Sequence, residues 1–289
     1  MSKLKIAIQK SGRLNEDSLK LLAACGINID NGIDQLKVTA TNFPLEVFFL
    51  RNSDIPQYLE DGVVDIAILG ENLLIEEEKT LKIETYLGFS KCKLSIAAPK
   101  GINYKSIKDL EGKKIATSYP NTLKSYLAKN NINAELHIIS GSVEIAPNIG
   151  LADAICDLVS SGNTLFKNGL EEKEIILKSE ACLVVSPLIT NENQLILNKL
   201  SFRIQSVLKA RKSKYILMNV PNDKIEAVSK ILPVLKSPTI LPLAEEGWSS
   251  LHSVIDEDKF WEVIDELKQN GAEGILVVPI EKMVLFESF

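Results

Sequence analysis

The feature that most restricts this chain's fold is an alternation of strand-like and helix-like runs that begins at its fourth residue. "KLKIAIQ" reads as a strand, and "NEDSLKLLAACG" as a capped helix closing on Gly26. "LKVTAT" and "LEVFFLR" read as a strand pair around Pro44, followed by helix "SDIPQYLEDG", strand "VVDIAILG" and helix "ENLLIEEEK". "KLSIAAPKG" closes this series near residue 100. A second series follows, with "SIKDLEG", strand "KKIATS", helix "PNTLKSYLAKN" and strand "AELHIIS". "EKEIILKSEACLVVSP" returns to strand, and "ENQLILNKLSFRIQSVLKARKS" is the longest helical pattern. Such α/β alternation implies mainly parallel sheets covered by helices, and two series of it imply two lobes and a cleft. Ligands of such sheets lie beyond the carboxyl ends of strands, so the strand-to-helix turns carry the chemistry.

After Lys214 the pattern changes. Strand "KYILMNVP", helix "NDKIEAVSKILP", strands "SPTILPLA" and "WSSLHSVI", helix "DEDKFWEVIDELKQNG" and strand "AEGILVVPIEKM" follow in turn. That β-α-β-β-α-β order fits a ferredoxin-like module. The expected division is therefore residues 1–100 with 181–213 as one catalytic lobe, 101–180 as the second, and 214–289 as a separate C-terminal domain. Trp248 and Trp261 are expected in that domain's core, because aromatic side chains usually pack. The acidic runs at Glu76 to Lys79 and Glu171 to Glu174 read as solvated surface.

Composition removes several classes of function. Formal charge is -5, from 33 Lys and Arg against 38 Asp and Glu, so no nucleic-acid surface is indicated. No apolar stretch approaches membrane-spanning length, and the start is too short in apolar residues for a signal peptide. Cys25, Cys92, Cys156 and Cys182 have no C-x-x-C spacing and read as free thiols in a reducing cytoplasm. With only His137 and His252, neither a zinc centre nor a serine-histidine triad is expected. No metal-ligand set is expected among the side chains. Chemistry must rest on carboxylates, hydroxyls, backbone amides and cations.

The densest such constellation is "ADAICDLVSSGNTL". Asp153, Ile155 and Asp157 share one face of an extended strand, since side chains alternate. Buried carboxylates need partners, and the two hydroxyls of a ribose can donate to them. Ser160, Ser161, Gly162, Asn163 and Thr164 then open a helix whose first amides favour an anion. Alone, S-S-G-x-T is an ordinary helix start; with two acids upstream it describes a cradle for a ribose 5-phosphate. Cations stand at other turns: Lys10 and Arg13 after strand "IAIQ", and Arg51 after "EVFFLR". Gly70 with Glu71, and Ser118 with Tyr119, occupy two more. Glu71 reads equally as a substrate contact or as a helix-start acid; Ser118 and Tyr119 read as substrate contacts, a role that capping of the helix by Ser118 does not exclude.

These residues resemble those of the ATP phosphoribosyltransferase family. "SGSVEIAPNIGLADAICDLVSSGNTL" is similar to its phosphoribosyl-diphosphate signature. The likeness extends through "IAIQKSGRL", "LRNSDIPQYLEDGVVDIAILGEN", "KKIATSYPNTLKSYL", "KSEACLVV", "SPTILPL" and "ILVVPIEKM", nearly the whole chain. It implies a two-lobed, periplasmic-binding-protein-like catalytic core with a ferredoxin-like regulatory domain, the long form of the family. It implies transfer of a phosphoribosyl group to N1 of ATP, with magnesium as cofactor and release of diphosphate, in the first step of histidine biosynthesis. Lys10, Arg13 and Arg51 then correspond to groups of the active cleft, and Glu144 to a residue at the ribose site. Homo-oligomers, dimers assembling into hexamers, are implied too, with histidine as inhibitor bound between neighbouring regulatory domains at Thr239 and Gly274. Asn148 departs from the family's pattern, where arginine is common.

The same two-lobed architecture serves exported solute-binding proteins, which this chain's missing signal and lipidation cysteine disfavour. A catalytically silent paralogue is disfavoured by the intact set Asp153, Asp157, Gly162 and Thr164.

Overall fold

A computed structural model describes residues 2–30, 35–159, 162–232 and 237–284. The chain divides into two compact units, Met1–Ala23 with Ile27–Leu197, and Ala24–Gly26 with Asn198–Phe289.

The first unit opens with β1 (Leu4–Gln9), α1 (Arg13–Ala24), β2 (Lys37–Thr39), β3 (Leu45–Leu50), α2 (Ile55–Glu60), β4 (Ile66–Gly70), α3 (Glu71–Glu76) and β5 (Lys82–Tyr86). Next come β6 (Cys92–Pro99), β7 (Lys114–Thr117), α4 (Pro120–Lys129), β8 (Glu135–Ile138), β9 (Ala154–Val159) and α5 (Asn163–Lys167). The unit closes with β10 (Leu170–Ser179) and β11 (Ala181–Val185), which lead into α6 (Asn191–Arg211). Two sheets result, ordered β2-β3-β1-β4-β11-β5 and β10-β6-β9-β7-β8. In the first, β1 lies parallel to both β3 and β4; in the second, β7 lies parallel to both β8 and β9. Ile6, Ala7 and Ile8 of β1, and Ile66 to Leu69 of β4, are wholly buried, as expected of parallel strands covered on both faces. α1 ends where Gly26 turns left-handed at φ +71°, the conformation its sequence position requires.

Each sheet also receives one antiparallel strand at the crossing between them: β6 pairs with β9 and β10 in the second, and β11 with β4 and β5 in the first. This is the two-lobed, binding-protein-like architecture. Residues 92–99, placed by the sequence in the first lobe, therefore stand in the second sheet. The run "EKEIILKSEACLVVSP" is two strands in different sheets, joined through Glu180 alone. β5 has no counterpart in the sequence reading.

Asp65 ties the first sheet together. It is buried, and its Oδ2 accepts from Lys5 N at 2.7 Å and Asn193 Nδ2 at 3.0 Å. Asp65→Ala leaves both donors without an acceptor, so chemical denaturation should show a loss of about 3 kcal/mol in unfolding free energy.

In the second unit β12 (Ser213–Pro221), α7 (Ile225–Ile231), β13 (Thr239–Pro242), β14 (Trp248–Asp256), α8 (Glu257–Gln269) and β15 (Glu273–Pro279) follow in order. The sheet order β13-β14-β12-β15, antiparallel throughout, is ferredoxin-like. Ile216, Met218, Val220, Leu251 and Ile255 cluster with Val228 of α7 and Leu267 of α8. Trp248 is half-buried, but Trp261 is 77% exposed, against expectation. α8 turns Phe260, Val263 and Leu267 towards the sheet, and the next residue after Phe260 lies about 100° further round the helix. β13, an edge strand, carries Pro242, with Pro238 just before it.

Candidate active site

β9 runs through the middle of the second sheet and delivers Asp157 near its carboxyl end. Asp157 is half-buried, and its Oδ1 accepts from Leu158 N at 2.8 Å. Burial pushes its carboxyl above the usual range; the Leu158 amide opposes this and the charge of Glu144 adds to it. Glu144 sits on a short 3-10 turn, Val143–Ile145, entered through left-handed Gly141 (φ +88°) and Ser142 (φ +51°). Asp157, Glu144, Ile155, Gly162 and Thr164 line one cavity of about 190 Å³. Gly162 precedes α5 with φ +73°, a conformation that a side chain would strain. Asn163 is the first residue of α5 and is exposed. Ser160 and Ser161 lie outside the described residues.

Asp153 does not join this cavity. It precedes β9, is exposed, and its Oδ2 accepts from Lys114 N at 2.8 Å. Alternation puts it on the same face as Asp157, but four residues of strand separate the two by about 13 Å. Asp153 is at the amino end of a parallel pair, whereas the cavity is at the carboxyl end. Of the two acids expected to face one ligand, only Asp157 lines this cavity, with Glu144 as its neighbour. Asn148 takes a local role, with Nδ2 donating to Asn168 O at 3.0 Å.

Val159 lines both this cavity and a second, of about 470 Å³, so the two adjoin. The second is lined by Glu71, Tyr86, Lys91, Cys92, Lys93, Lys178, Ser179 and Glu180. Glu71 opens α3 directly after Gly70, and its Oε1 accepts from Tyr86 Oη at 2.7 Å. That bond pushes the Tyr86 phenol up. A Cβ on Gly70 would come within 2.4 Å of Asn72 Oδ1, so a larger residue there would have to displace the bond that Oδ1 accepts from Ser179. Cys92 is a free thiol, pushed up by burial and pulled back by its contact with Ser179 and by the charge of Arg13. Most of this lining escaped the sequence reading, because it comes from β5 and from the two crossings between sheets. The clusters "KCK" and "KSE" at those crossings were the available signal.

Lys10 follows β1, Arg51 follows β3, and Gln9 and Leu50 are in register, so both cations stand at one carboxyl edge. Lys10 N donates to Leu50 O at 2.8 Å. Arg13 begins α1. All three are exposed, and no ion pair engages them among the described residues.

Ser118 and Tyr119 join β7 to α4. Ser118 does not cap the helix: its Oγ donates to Ile139 O at 2.8 Å. Tyr119 is the residue before the helix; its phenol bonds Asn72 and is pushed up by burial and by the charge of Asp157. The cap comes from Glu76, expected at the surface but only 7% exposed. Its side chain turns inward because α4's unpaired amides lie beside the end of α3.

In the second unit Thr239 is exposed on β13, opposite His252 of β14. Gly274 lies in β15, with φ +57°. They occupy opposite edges of one sheet, three strand spacings apart or about 14 Å. Among the described residues no helix is long and apolar enough to cross a membrane, and no group of three or more His, Cys, Asp or Glu is placed to hold a metal.

Comparison with known proteins decides the family. The family model "HisG: ATP phosphoribosyltransferase" matches residues 51–206, and "HisG, C-terminal domain" matches 210–282. The chain belongs to the ATP phosphoribosyltransferase family, in its long form. An ATP phosphoribosyltransferase of Cytophaga hutchinsonii is 57% identical, over 97% of this chain and 98% of its own length. One of Bacteroides thetaiotaomicron is 52% identical, over 98% and 100%. Among solved structures, the ATP phosphoribosyl transferase (HisG:HisZ) complex from Thermotoga maritima matches with a TM-score of 0.62 at 29% identity. That match covers 71% of this chain and 98% of the other.

Proposed function

We propose that Asp157 and Thr164, brought to one cavity around left-handed Gly162, hold the ribose and 5′-phosphate of phosphoribosyl diphosphate. This arrangement carries the assignment of roles. The chain is a phosphoribosyltransferase that acts on ATP, joining its adenine N1 to C1 of phosphoribosyl diphosphate. The sugar hydroxyls donate to the Asp157 carboxylate, with Glu144 beside it. The Thr164 hydroxyl and the first amides of α5 donate to the 5′-phosphate, with Ser160, Ser161 and Asn163 completing the loop. The adjoining cavity with Glu71 and Tyr86 receives ATP, so N1 meets C1 where the two cavities touch near Val159.

Adenine N1 already presents a lone pair, so the site needs no strong base. Positive charge develops at C1 as negative charge grows on the departing diphosphate. Lys10, Arg13 and Arg51 stabilise the second, and the Asp157 side the first. A bound magnesium would supply positive charge beside the diphosphate, and the carboxylate oxygens of Glu144 and Asp157, which line one cavity, would suit such a hard cation. Each side chain acts by position and field rather than by covalent chemistry.

The C-terminal domain, residues 214–289, gives histidine feedback. Thr239 and Gly274 lie too far apart for one small ligand within a sheet, which favours a site shared between domains of neighbouring subunits in a dimer or hexamer. Lobe I through residue 91 with 181–197 and lobe II over 92–180 follow the two sheets, and residues from Asn198 onward group with the C-terminal domain rather than with lobe I. The enzyme works in the cytoplasm.

The test is product formation from ATP, phosphoribosyl diphosphate and magnesium with pyrophosphatase present, followed by ultraviolet absorbance with and without histidine. Histidine-suppressed product is expected; absence of product from folded protein sinks the reading. Thr164→Val should raise KM for phosphoribosyl diphosphate about tenfold through one lost hydrogen bond to a charged group. KM for ATP should hold, and equal weakening of both substrates would refute the 5′-phosphate assignment.

A further inference from the structure

α4 begins at the carboxyl end of β7, in the second sheet, yet no residue of its own loop caps it. Ser118 is committed to Ile139 O. The free amides are met instead from α3, on the first sheet. Glu76 Oε1 accepts from Asn121 N at 2.9 Å, and Oε2 accepts from Thr122 N at 3.0 Å and Thr122 Oγ1 at 2.7 Å. The Glu76 carbonyl accepts from Asn121 Nδ2 at 2.9 Å. Burying a carboxylate costs desolvation, which only such complete hydrogen bonding offsets.

One helical turn earlier on the same face of α3, Asn72 is also buried. Its backbone N donates to Ser179 Oγ at 2.9 Å, and Ser179 Oγ in turn donates to Asn72 Oδ1 at 2.9 Å. Asn72 also bonds the phenol of Tyr119. Thus α3 grips the turn 118–122 at two points, and that turn leaves β7 beside Asp157's strand: Thr117 is in register with Cys156, next to Asp157, and its Oγ1 donates to Cys156 O at 2.7 Å and accepts from Tyr119 N at 2.9 Å. With its first amides filled by Glu76, α4 offers no place for a substrate phosphate, in contrast to α5.

We propose that Glu76 is a positioning residue for the transfer reaction, acting through the first turn of α4 to fix the β7–α4 turn against the strand that carries Asp157. The role rests on the placement of phosphoribosyl diphosphate at Asp157. Glu76→Gln keeps the side chain's length but turns an amide donor towards backbone donors. The turn then shifts, and displacements of about 1 Å in such settings cost on the order of a hundredfold in rate.

The experiment is steady-state kinetics on full-length Glu76→Gln, Thr122→Val and Thr122→Ser, with thermal unfolding of each. Glu76→Gln should lower kcat about 10- to 100-fold with both KM values within about threefold of wild type. Thr122→Val should lower kcat about fivefold, since it removes one of the bonds, and Thr122→Ser should restore it. A purely structural cap would lower Tm and leave kcat of the folded enzyme unchanged. Folded Glu76→Gln with wild-type kcat overturns the proposal, as does a defect confined to KM. If Glu76→Gln does not fold, Thr122→Val decides alone, and wild-type kcat there overturns it. Wild-type enzyme that makes product while Glu76→Gln matches it removes the positioning role only. Wild-type enzyme that makes none removes the site reading and this role together.

Discussion

Asp157→Asn should lower kcat/KM for phosphoribosyl diphosphate about a hundredfold while making the folded protein more stable at neutral pH. A hydrogen bond to a charged group contributes roughly 1.5–3 kcal/mol, so losing the anion that faces two sugar hydroxyls reaches that scale even if the amide keeps part of the contact. The stability gain follows from the direction of the Asp157 shift. Burial raises its pKa in the folded state, outweighing the Leu158 amide. The folded chain therefore binds a proton more tightly than the unfolded chain. Stability falls as pH rises from the ordinary value of 3.8 through the raised one, and stays lower above it. Asparagine carries no charge to bury, and it can still accept from Leu158 N. Thermal unfolding of both proteins across pH 4 to 8 checks this: the variant's Tm advantage should open as pH rises. Equal Tm values at pH 7, or an unchanged kcat/KM, would contradict the assignment. Wild-type activity should likewise have an acid limb above the usual aspartate range, because only the carboxylate accepts from both hydroxyls.

Arg13→Met should lower kcat by about a hundredfold or more and leave Tm unchanged, on the proposal that its charge serves the departing diphosphate. The argument begins from exposure. Arg13 is exposed at the start of α1 and no ion pair engages it among the described residues, so its removal disturbs little of the fold. It stands near enough to the Cys92 cavity to oppose the rise of that thiol's pKa. A cation beside developing negative charge acts most strongly in the transition state, so kcat should suffer more than KM. Methionine keeps most of the apolar stem and isolates the charge. Wild-type kcat in this variant would move the diphosphate away from α1, towards Arg51. The effect should also shrink with added salt, since exposed charges are screened over about 10 Å at 0.1 M ionic strength.

Much of this was legible in the order of residues, for physical reasons that also explain the failures. Strands buried on both faces announce themselves by unbroken apolar centres, Ile6 to Ile8 in "KLKIAIQ" and Ile66 to Leu69 in "VVDIAILG". The C-terminal β-α-β-β-α-β order needs only the sequence of element types. β5, "KIETY", does not stand out because it is an edge strand with charged and half-exposed positions. β6 was assigned to the wrong sheet because its pairing with β9 and β10 joins distant segments. Asp153 and Asp157 look equivalent by a period of two; strand direction separates them, since only the carboxyl end faces ligand. Glu76 belongs to an acidic run that resembles any solvated helix face, and the amides that bury it lie 45 positions away. Trp261 failed because a general preference for burial cannot say which side of α8 meets the sheet.

The passage between the sheets has a mechanical consequence. On one side five residues, 87–91, connect β5 to β6; on the other, Glu180 alone connects β10 to β11. A link of one residue has no slack, so the sheets cannot slide apart there; any change in the angle between them must be taken up in the backbone torsions around residue 180. The longer link is held beside it, since Leu87 N donates to Ala181 O at 2.9 Å and Ala181 N donates to Phe89 O at 3.0 Å, so both crossings share one hinge line. The cleft therefore behaves as a door hung on a single stiff pin, and the Ser179 bonds to Asn72 lie at that pin, where a rotation displaces atoms least.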